Sequence, residues 1–194
     1  GGPVPTALRN TASVLITRGG EKLMFDCGEG TQRQMRCSVG LTPVDQIYLT
    51  HFHLDHCLGL PGLLKTYDLG DRTEPMRIFG PAGLEKLLSD WHPMIGRLGF
   101  HLEVEEIAAG DIIAHDGYEI EVFKAEHSAP NAVGYAMLED DRPGRFDPEV
   151  ARELGVSEGP DFKLLQSGQT VTGSKGEVRP DQVMDEDRFG RAIV

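Results

Sequence analysis

The segment that decides the fold reads Thr50-His51-Phe52-His53-Leu54-Asp55-His56-Cys57-Leu58-Gly59-Leu60-Pro61-Gly62. The three residues before it, Ile47–Leu49, have the apolar character of a short buried strand. The apolar spacing from Leu60 to Leu69 is typical of a helix, and proline is tolerated in the first turn of a helix. The segment therefore lies where a strand turns into a helix, which is where open α/β sheets place their functional groups.

The polar residues in this segment follow the spacing H-x-H-x-D-H. His51 and His53 are two residues apart in extended chain, so their rings project to the same side and can share one metal ion. Asp55 and His56 follow the turn and can hold a second ion. Imidazole and carboxylate together suit Zn²⁺, and two such ions can activate water for hydrolysis. The alternative is a polar loop with solvated histidines, which a cluster of this density disfavours.

One further histidine fits the same site. His127 follows a predicted strand, Tyr118–Phe123, and is in a position to complete the coordination begun by His51 and His53. The remaining histidines have no comparable context and are predicted to be ordinary surface or core residues; they are His92, His101 and His115.

Length and composition favour a single α/β domain. The chain has 194 residues, of which 39% are hydrophobic, enough for one core, and no run is long enough to cross a membrane. Three cysteines form no zinc-finger spacing, and their odd number argues against a disulfide framework, so a cytoplasmic location is expected. The net charge of −12 excludes nucleic-acid binding through the whole surface but allows a local basic patch.

Hydrophobic patterns predict alternating strands and helices. Strands are expected at Ser13–Thr17, Lys22–Phe25, Ile47–Leu49, Met76–Phe79, Leu102–Val104, Ile112–Ile113, Tyr118–Phe123, Val133–Leu138 and Arg191–Val194. Helices are expected from Thr31 (or a neighbour, as the cap) to near Gly40, and at Leu60–Leu69, Ala82–Trp91 and Pro148–Leu154. Gly1 to Pro5 is predicted to be a loop.

Residues 139–188 differ in character from the rest of the chain. They contain thirteen acidic and seven basic residues, with frequent Gly and Pro. This composition favours a projecting, flexible arm over a part of the core. Within it, Gly159–Leu165 is the one compact apolar unit that the pattern reveals.

Several motifs together resemble the ribonuclease Z family, the tRNA 3′-processing endonucleases of the metallo-β-lactamase superfamily. The H-x-H-x-D-H segment alone resembles the superfamily. Phe25-Asp26-Cys27-Gly28-Glu29-Gly30-Thr31-Gln32 is similar to the first motif of the ribonuclease, and Phe79-Gly80-Pro81-Ala82-Gly83-Leu84 and the stretch from His127 to Gly134-Tyr135 are similar to later ones. The segment at Gly159-Pro160 and Lys163 resembles the family's exosite, which grips the tRNA elbow.

The resemblance implies a fold and a set of roles. The fold would be an αββα sandwich, with residues 1–194 forming the N-terminal and central part of one metallo-β-lactamase domain and residues 139–188 an inserted exosite arm. His51, His53 and His127 would hold one zinc, and Asp55 and His56 the other. Asp55 would also be the general base, and Asp26 would orient a ligand histidine from behind. Substrate contacts would come from Arg9, Asn10, Gly159, Pro160 and Lys163.

The resemblance also implies a precursor tRNA substrate, a homodimer, and ligands that this chain does not supply. The family's bridging aspartate lies in a Gly-Asp-Thr motif after a strand like Arg191–Val194, and no histidine follows His127 to serve as the last ligand. The strand expected before Gly1 is also missing, so the chain is expected to be truncated at both ends. In the family's P-x-K-x-R-N loop, Ala7 replaces the lysine that is linked to discrimination against a mature CCA end.

Two other functions stay open at this stage. One is a related dinuclear metallohydrolase of small phosphodiesters or thioesters, which would not need a projecting exosite. The other is an inactive or partner-binding fragment, which the missing ligands favour for these 194 residues taken literally.

Overall fold

The computed structural model describes residue 2 and residues 4–194; the loop predicted over Gly1–Pro5 thus includes two residues, Gly1 and Pro3, that lie outside the described part. The chain forms two compact units. The first comprises the chain up to Ile113 together with Glu121–Ala136 and Val194. The second comprises Ala114–Ile120 and Met137–Ile193.

Strands and helices alternate through most of the chain. The strands are β1 (Val14–Arg18), β2 (Glu21–Phe25), β3 (Gln46–Tyr48), β4 (Met76–Gly80), β5 (Leu102–Glu106), β6 (Ile112–His115), β7 (Tyr118–Lys124), β8 (Val133–Glu139), β9 (Val171–Gly173), β10 (Gly176–Val178) and β11 (Ala192–Ile193). The helices are α1 (Thr31–Ser38), α2 (Leu54–Cys57), α3 (Gly59–Leu69), α4 (Leu84–Ile95), α5 (Pro148–Glu153) and α6 (Pro160–Gln166), with a 3₁₀ turn at Pro180–Gln182.

The main sheet of the first unit has the strand order β1-β2-β3-β4-β5. β1 and β2 form an antiparallel hairpin, while β2, β3, β4 and β5 run parallel to one another. Because parallel neighbours require a crossover, helices connect these strands: α1 lies between β2 and β3, α2 and α3 between β3 and β4, and α4 between β4 and β5. Strands β11-β8-β7-β6 form another sheet in that order.

Alternation along the strands separates two packing faces. Met24, Ile47 and Ile78 are fully or almost fully buried and belong to the core that also contains the apolar residues of α1, α3 and α4. These helices bury one stripe each, which in α3 consists of Leu60, Leu63, Leu64 and Tyr67.

The opposite face of the main sheet carries an aromatic row. Tyr48 stacks on Phe25 and Phe79, with ring centroids 4.9 and 4.7 Å away. Tyr135 of β8 meets Tyr48 edge-on at 5.4 Å, and its hydroxyl donates to the carbonyl of Leu49 at 2.7 Å. The first unit is therefore layered as helices, main sheet and strands of the other sheet, the arrangement expected for one side of an αββα sandwich.

The second unit has a hydrophobic core of its own. Ala151 and Val156 lie close to the end of α5, Phe162 and Leu165 are on α6, and all four are buried in one cluster with Val171, Val178 and Val183. Asp147 caps α5 by accepting hydrogen bonds from the amides of Glu149 and Val150. The sequence pattern singled out Gly159–Leu165 as an apolar unit but predicted neither helix α6 nor the β9–β10 hairpin.

Two antiparallel segments lead into and out of this core. Arg142 pairs with Arg188 and Phe146 with Met184 in isolated bridges. At the start of these segments, the Glu139 carboxylate accepts from Arg191 through both oxygens, at 2.7 and 2.9 Å, and from Arg142 at 3.0 Å. The two ends of the segment 139–191 are thus tied together.

The predicted elements differ from the observed ones in details. The short helix α2 was not predicted. Of the two options for the cap of α1, the neighbour Gly30 occupies the cap position, and Thr31 is the first residue of the helix. The Thr31 hydroxyl donates instead to the carbonyl of Gly28 at 2.7 Å, because the side chain is buried inside the glycine turn. Within the described residues, every helix falls short of the length and apolarity needed to cross a bilayer.

Candidate metal centre

The centre is built at the carboxyl ends of β2 and β3. The amide of Asp26 donates to the carbonyl of Tyr48 at 2.8 Å, and Asp26 then takes a left-handed conformation with φ 59°. This turn directs its carboxylate across to β3, where Oδ1 accepts from the amide of Thr50 at 2.8 Å. The two strand ends are thereby held in register.

Backbone hydrogen bonds hold residues 27–30, the glycine turn, against residues 50–62, which are named the metal-binding segment for their candidate ligands. The amide of Cys27 donates to the carbonyl of His56 at 2.7 Å, and the amide of Gly59 donates to the carbonyl of Cys27 at 2.8 Å. A Cβ atom at Gly28 would collide with the carbonyl oxygen of Asp55. Glycine is required at this position because two backbone segments pass each other in direct contact.

His127 reaches the centre on a short loop between β7 and β8. The loop is closed by a hydrogen bond from the amide of Ala125 to the carbonyl of Ala132 at 3.1 Å. The amide of Val133 donates to the carbonyl of Thr50 at 3.0 Å, which fixes the loop beside the metal-binding segment.

His51, His53 and His127 converge on one point. One ring nitrogen from each lies within 4.8 Å of the others, and the ring of His51 is 4.8 and 4.3 Å from those of His53 and His127. His51 is buried, while the other two are exposed. The sequence placed these three residues on one ion, and the structure brings them together in the first unit.

The donor set fits a metal ion of the zinc type. His51 Nε2 is buried and has no hydrogen-bond partner among the described residues, so no protein group competes with an ion for this atom. Burial, and then repulsion from His56 and His127, lowers the pKa of His51 to about 4, so the ring is neutral at neutral pH. Three convergent imidazoles are a ligand set that suits zinc and other borderline cations.

The Asp26 carboxylate contacts both Thr50 and His56. Its Oδ2 lies 2.7 Å from Nδ1 of His56, and both of its oxygens lie 3.0 Å from the hydroxyl of Thr50. Burial raises the pKa of Asp26 above its ordinary value, while the hydrogen bonds from Thr50 and His56 oppose that shift.

Asp55 and His56 lie next to the three histidines. Asp55 Oδ2 is 3.4 Å from Nε2 of His56, and the rings of His51 and His56 are 4.1 Å apart. Within the described residues this pair has no third ligand that would complete a second metal position.

A cavity of about 550 Å³ opens beside His127. Small apolar side chains line most of it, including Ala82, Ala129 and Ala132. Its polar lining comes from Lys124, Glu126, His127 and Asn131. Sequence reasoning did not find this cavity, because its walls come from parts of the chain that only the fold brings together, from Ala82 to Val133.

The predicted contact residues Arg9 and Asn10 lie near the glycine turn. Arg9 is exposed in a turn in which its amide donates to the hydroxyl of Thr6 at 3.0 Å. The Asn10 side chain lies against Gly30, and the next residue, Thr11, donates its hydroxyl to the carbonyl of Glu29 at 3.0 Å. The structure thus connects this loop to the first motif.

The other predicted contact residues are in the second unit. Gly159 precedes α6 with φ 140°, and Pro160 is the first residue of that helix. Lys163 is exposed in the last turn of α6, on the side opposite its buried residues Phe162 and Leu165.

Thr50 is the residue near the histidines whose role the sequence did not reveal. Its hydroxyl lies 2.9 Å from Nδ1 of His51, and the same oxygen faces Asp26. The indication that the sequence offers is the position of Thr50, directly between a buried strand and the first histidine.

Comparison with known proteins relates the chain to one superfamily and to one group within it. The family model of the metallo-beta-lactamase superfamily matches residues 6–166. Ribonuclease Z of Methanosarcina acetivorans is 43% identical over 100% of this chain and 64% of its own length, and that of Haloferax volcanii is 46% identical over 100% and 62%.

Solved structures agree with this relationship. Human tRNase Z, short form, has a TM-score of 0.60 and 29% identity, covering 70% of this chain and 61% of its own. This chain spans less than two thirds of the length of the two ribonuclease Z relatives. The family match extends over most of the chain and includes the H-x-H-x-D-H segment. On this match, and with a fold of the same kind, the chain belongs to the metallo-beta-lactamase superfamily.

Proposed function

We propose that this chain is part of a zinc-dependent endoribonuclease that removes the 3′ trailer from precursor tRNA. The observation that carries the proposal is the convergence of His51, His53 and His127, with the buried Nε2 of His51 left without a partner. Within the superfamily, the assignment to this activity is supported by 43–46% sequence identity to ribonuclease Z sequences across the whole chain.

The reaction is hydrolysis of one phosphodiester. Water attacks phosphorus, the bond from phosphorus to the 3′ oxygen breaks, and the products are a tRNA 3′-hydroxyl and a trailer with a 5′-phosphate. Asp55 is the proposed general base, since its carboxylate lies beside the histidines and can take a proton from the attacking water. His51, His53 and His127 would hold one zinc, with Asp55 and His56 holding a second. Bound zinc would supply charge stabilisation for the phosphate and a more acidic water.

The cavity beside His127 is a suitable place for RNA next to the scissile phosphate. Its small side chains leave room, and Lys124, which is exposed, offers a positive charge to a neighbouring phosphate. We assign the residues of this cavity to positioning of the substrate and not to bond breaking.

Residues 139–188 are proposed as the exosite for tRNA. Lys163 is exposed on α6, and in the described part of the chain it forms no ion pair, so its charge is available. Several other cations of this segment are paired; Arg152, for example, pairs with Glu149 and Glu158. This pairing reduces the contacts available to a few groups, among which Gly159, Pro160 and Lys163 are the best placed. Arg9 and Asn10 are the proposed contacts on the side of the glycine turn.

A homodimer in the cytoplasm completes the proposal. The dimer rests on the resemblance to the ribonuclease Z family. Three cysteines without a disulfide, Cys27, Cys37 and Cys57, are compatible with a reducing compartment.

The test uses the full-length natural protein that contains these residues. It is incubated with zinc and a precursor tRNA carrying a 3′ trailer, and both product ends are mapped; His51→Ala is the control. We expect a tRNA 3′-hydroxyl and a trailer 5′-phosphate from the unaltered protein only. Hydrolysis of bis(p-nitrophenyl) phosphate without any tRNA cleavage would instead support a hydrolase of small phosphodiesters. A folded, zinc-loaded protein that cleaves neither substrate would contradict both functions.

A further inference from the structure

The hydroxyl group of Thr50 lies between a carboxylate and a histidine. Oγ1 is 3.0 Å from each oxygen of Asp26 and 2.9 Å from Nδ1 of His51. The amide of Thr50 donates to the same carboxylate at 2.8 Å. Thr50 is therefore held by Asp26 at two atoms, and its hydroxyl has a fixed position in front of His51.

The Thr50 hydroxyl has a single proton, and the group to which it donates that proton decides the tautomer of His51. When that proton is donated to the Asp26 carboxylate, Oγ1 must accept from Nδ1–H of His51. The alternative gives the proton to His51 Nδ1, and then Oγ1 faces both carboxylate oxygens with lone pairs only. It would also place a hydrogen on Nε2, which is buried and has no acceptor among the described residues. In the first allocation the hydroxyl, the carboxylate and Nδ1 are all paired, and only the Nε2 lone pair lacks a partner. The second leaves an Nε2–H without an acceptor and also sets the lone pairs of Oγ1 against the carboxylate, so the first is favoured.

The same carboxylate orients a second imidazole. Oδ2 of Asp26 lies 2.7 Å from Nδ1 of His56, whereas the Thr50 hydroxyl is 3.5 Å from that nitrogen. Nδ1 of His56 is thus hydrogen-bonded directly to Asp26, and Nε2 of His56 faces Asp55. One carboxylate acts on His56 by contact and on His51 through a hydroxyl.

We propose that Thr50 is a positioning residue. Its hydroxyl donates to the Asp26 carboxylate and accepts from Nδ1–H of His51, and it thereby keeps the proton of His51 on Nδ1. The consequence for the proposed metal centre is that Nε2 of His51 presents a lone pair before any ion arrives. This inference rests on the proposed metal centre for its purpose, but the tautomer itself is a property of the metal-free chain. Partners behind a ligand histidine fix its ring in this way and raise metal affinity.

The test measures the tautomer in metal-free protein by ¹⁵N NMR of the imidazole nitrogens at pH 7.5. Three variants accompany the unaltered chain. Thr50→Ser keeps the hydroxyl, Thr50→Val removes it at similar volume, and Thr66→Val removes a hydrogen-bonded hydroxyl that contacts Gln32 in another part of the fold. Zinc affinity is measured in parallel by competition with a chelating dye.

We expect His51 to carry its proton on Nδ1 in the unaltered chain, in Thr50→Ser and in Thr66→Val. In Thr50→Val the Nε2–H form should appear, and zinc affinity should fall by about 10–100-fold. His51 with its proton on Nε2 in the unaltered chain would overturn the inference without any variant. An unchanged tautomer in folded Thr50→Val would overturn it as well. A chain with the expected tautomers that binds no zinc would refute the metal centre and leave the role of Thr50 intact.

Discussion

Gly28 lies directly against the carbonyl oxygen of Asp55, with no space between them for a Cβ atom. This contact joins the first motif to the metal-binding segment. Gly28→Ala should force the two segments apart, lowering the free energy of unfolding by about 1–3 kcal/mol and weakening zinc binding at the same time. Thermal unfolding and a zinc titration measure the two effects. Gly20→Ala is the matched control, because a Cβ there meets nothing within 4 Å. Equal stability of both variants would show that the segments can separate freely.

Removing His127 should abolish most of the metal affinity, because it takes away one of three convergent nitrogens. We expect His127→Ala to lose more than the roughly 10–100-fold that the loss of an outer hydrogen-bond partner costs. The measurement is zinc binding by calorimetry. His101→Ala, an exposed histidine outside the cluster, should bind zinc as the unaltered chain does. Similar losses in both variants would point to a general effect on folding.

Asp55→Asn should reduce turnover of precursor tRNA in the full-length natural protein by roughly 10²–10⁴-fold, the usual contribution of a general base. Binding of the tRNA should change little, because the role proposed for the carboxylate is to take a proton from water and not to contact the RNA backbone. Single-turnover kinetics and filter binding separate the two quantities. Asp90→Asn, which removes an exposed charge paired with Lys86, is the control. Turnover near normal with zinc bound would assign the base to another residue.

Lys163→Ala should weaken precursor tRNA binding and reduce the dependence of log Kd on log salt concentration by about one unit of slope. Cleavage of bis(p-nitrophenyl) phosphate should be unaffected, because the lysine lies in the second unit and contributes no metal ligand. Lys86→Ala provides the control, since that ammonium group is paired with Asp90 at 2.6 Å. An unchanged salt slope in Lys163→Ala would remove this lysine from the proposed exosite.

The three cysteines should differ in reactivity. Burial raises the pKa of both Cys27 and Cys57 to about 12, so their thiols stay protonated and shielded at pH 8. Cys37 is exposed at the end of α1. A disulfide reagent should therefore modify one thiol rapidly in the folded chain and all three in denaturant, and Cys37→Ser should abolish the rapid phase. Rapid modification of two thiols in the folded chain would contradict the burial.

Much of the first unit could be predicted from sequence because local patterns and motifs agree there. The strand before His51 and the helix after Gly59 both have clear apolar periods, and the histidine spacing adds a chemical signal of its own. The role of Thr50 could not be read in this way, since it depends on Asp26, which is brought near only by the register of β2 and β3. Helix α6 and the β9–β10 hairpin were missed for a different reason. Their stability comes from packing in a small core whose residues, from Ala151 to Val183, are far apart in sequence, and no local pattern shows that packing.

The ion pairs that Glu139 forms with Arg191 and Arg142 affect which changes in chain length the fold tolerates. These hydrogen bonds hold the two ends of the 139–191 segment together. The entropy cost of closing a flexible loop between fixed ends rises only slowly with the length of the loop. Residues can be added to or removed from exposed loops of the segment, outside its hydrophobic core, while Leu138 keeps its register with Ala192. Natural variation in length should therefore concentrate between Arg142 and Arg188, and exchange of that interior between relatives should yield folded chimeras.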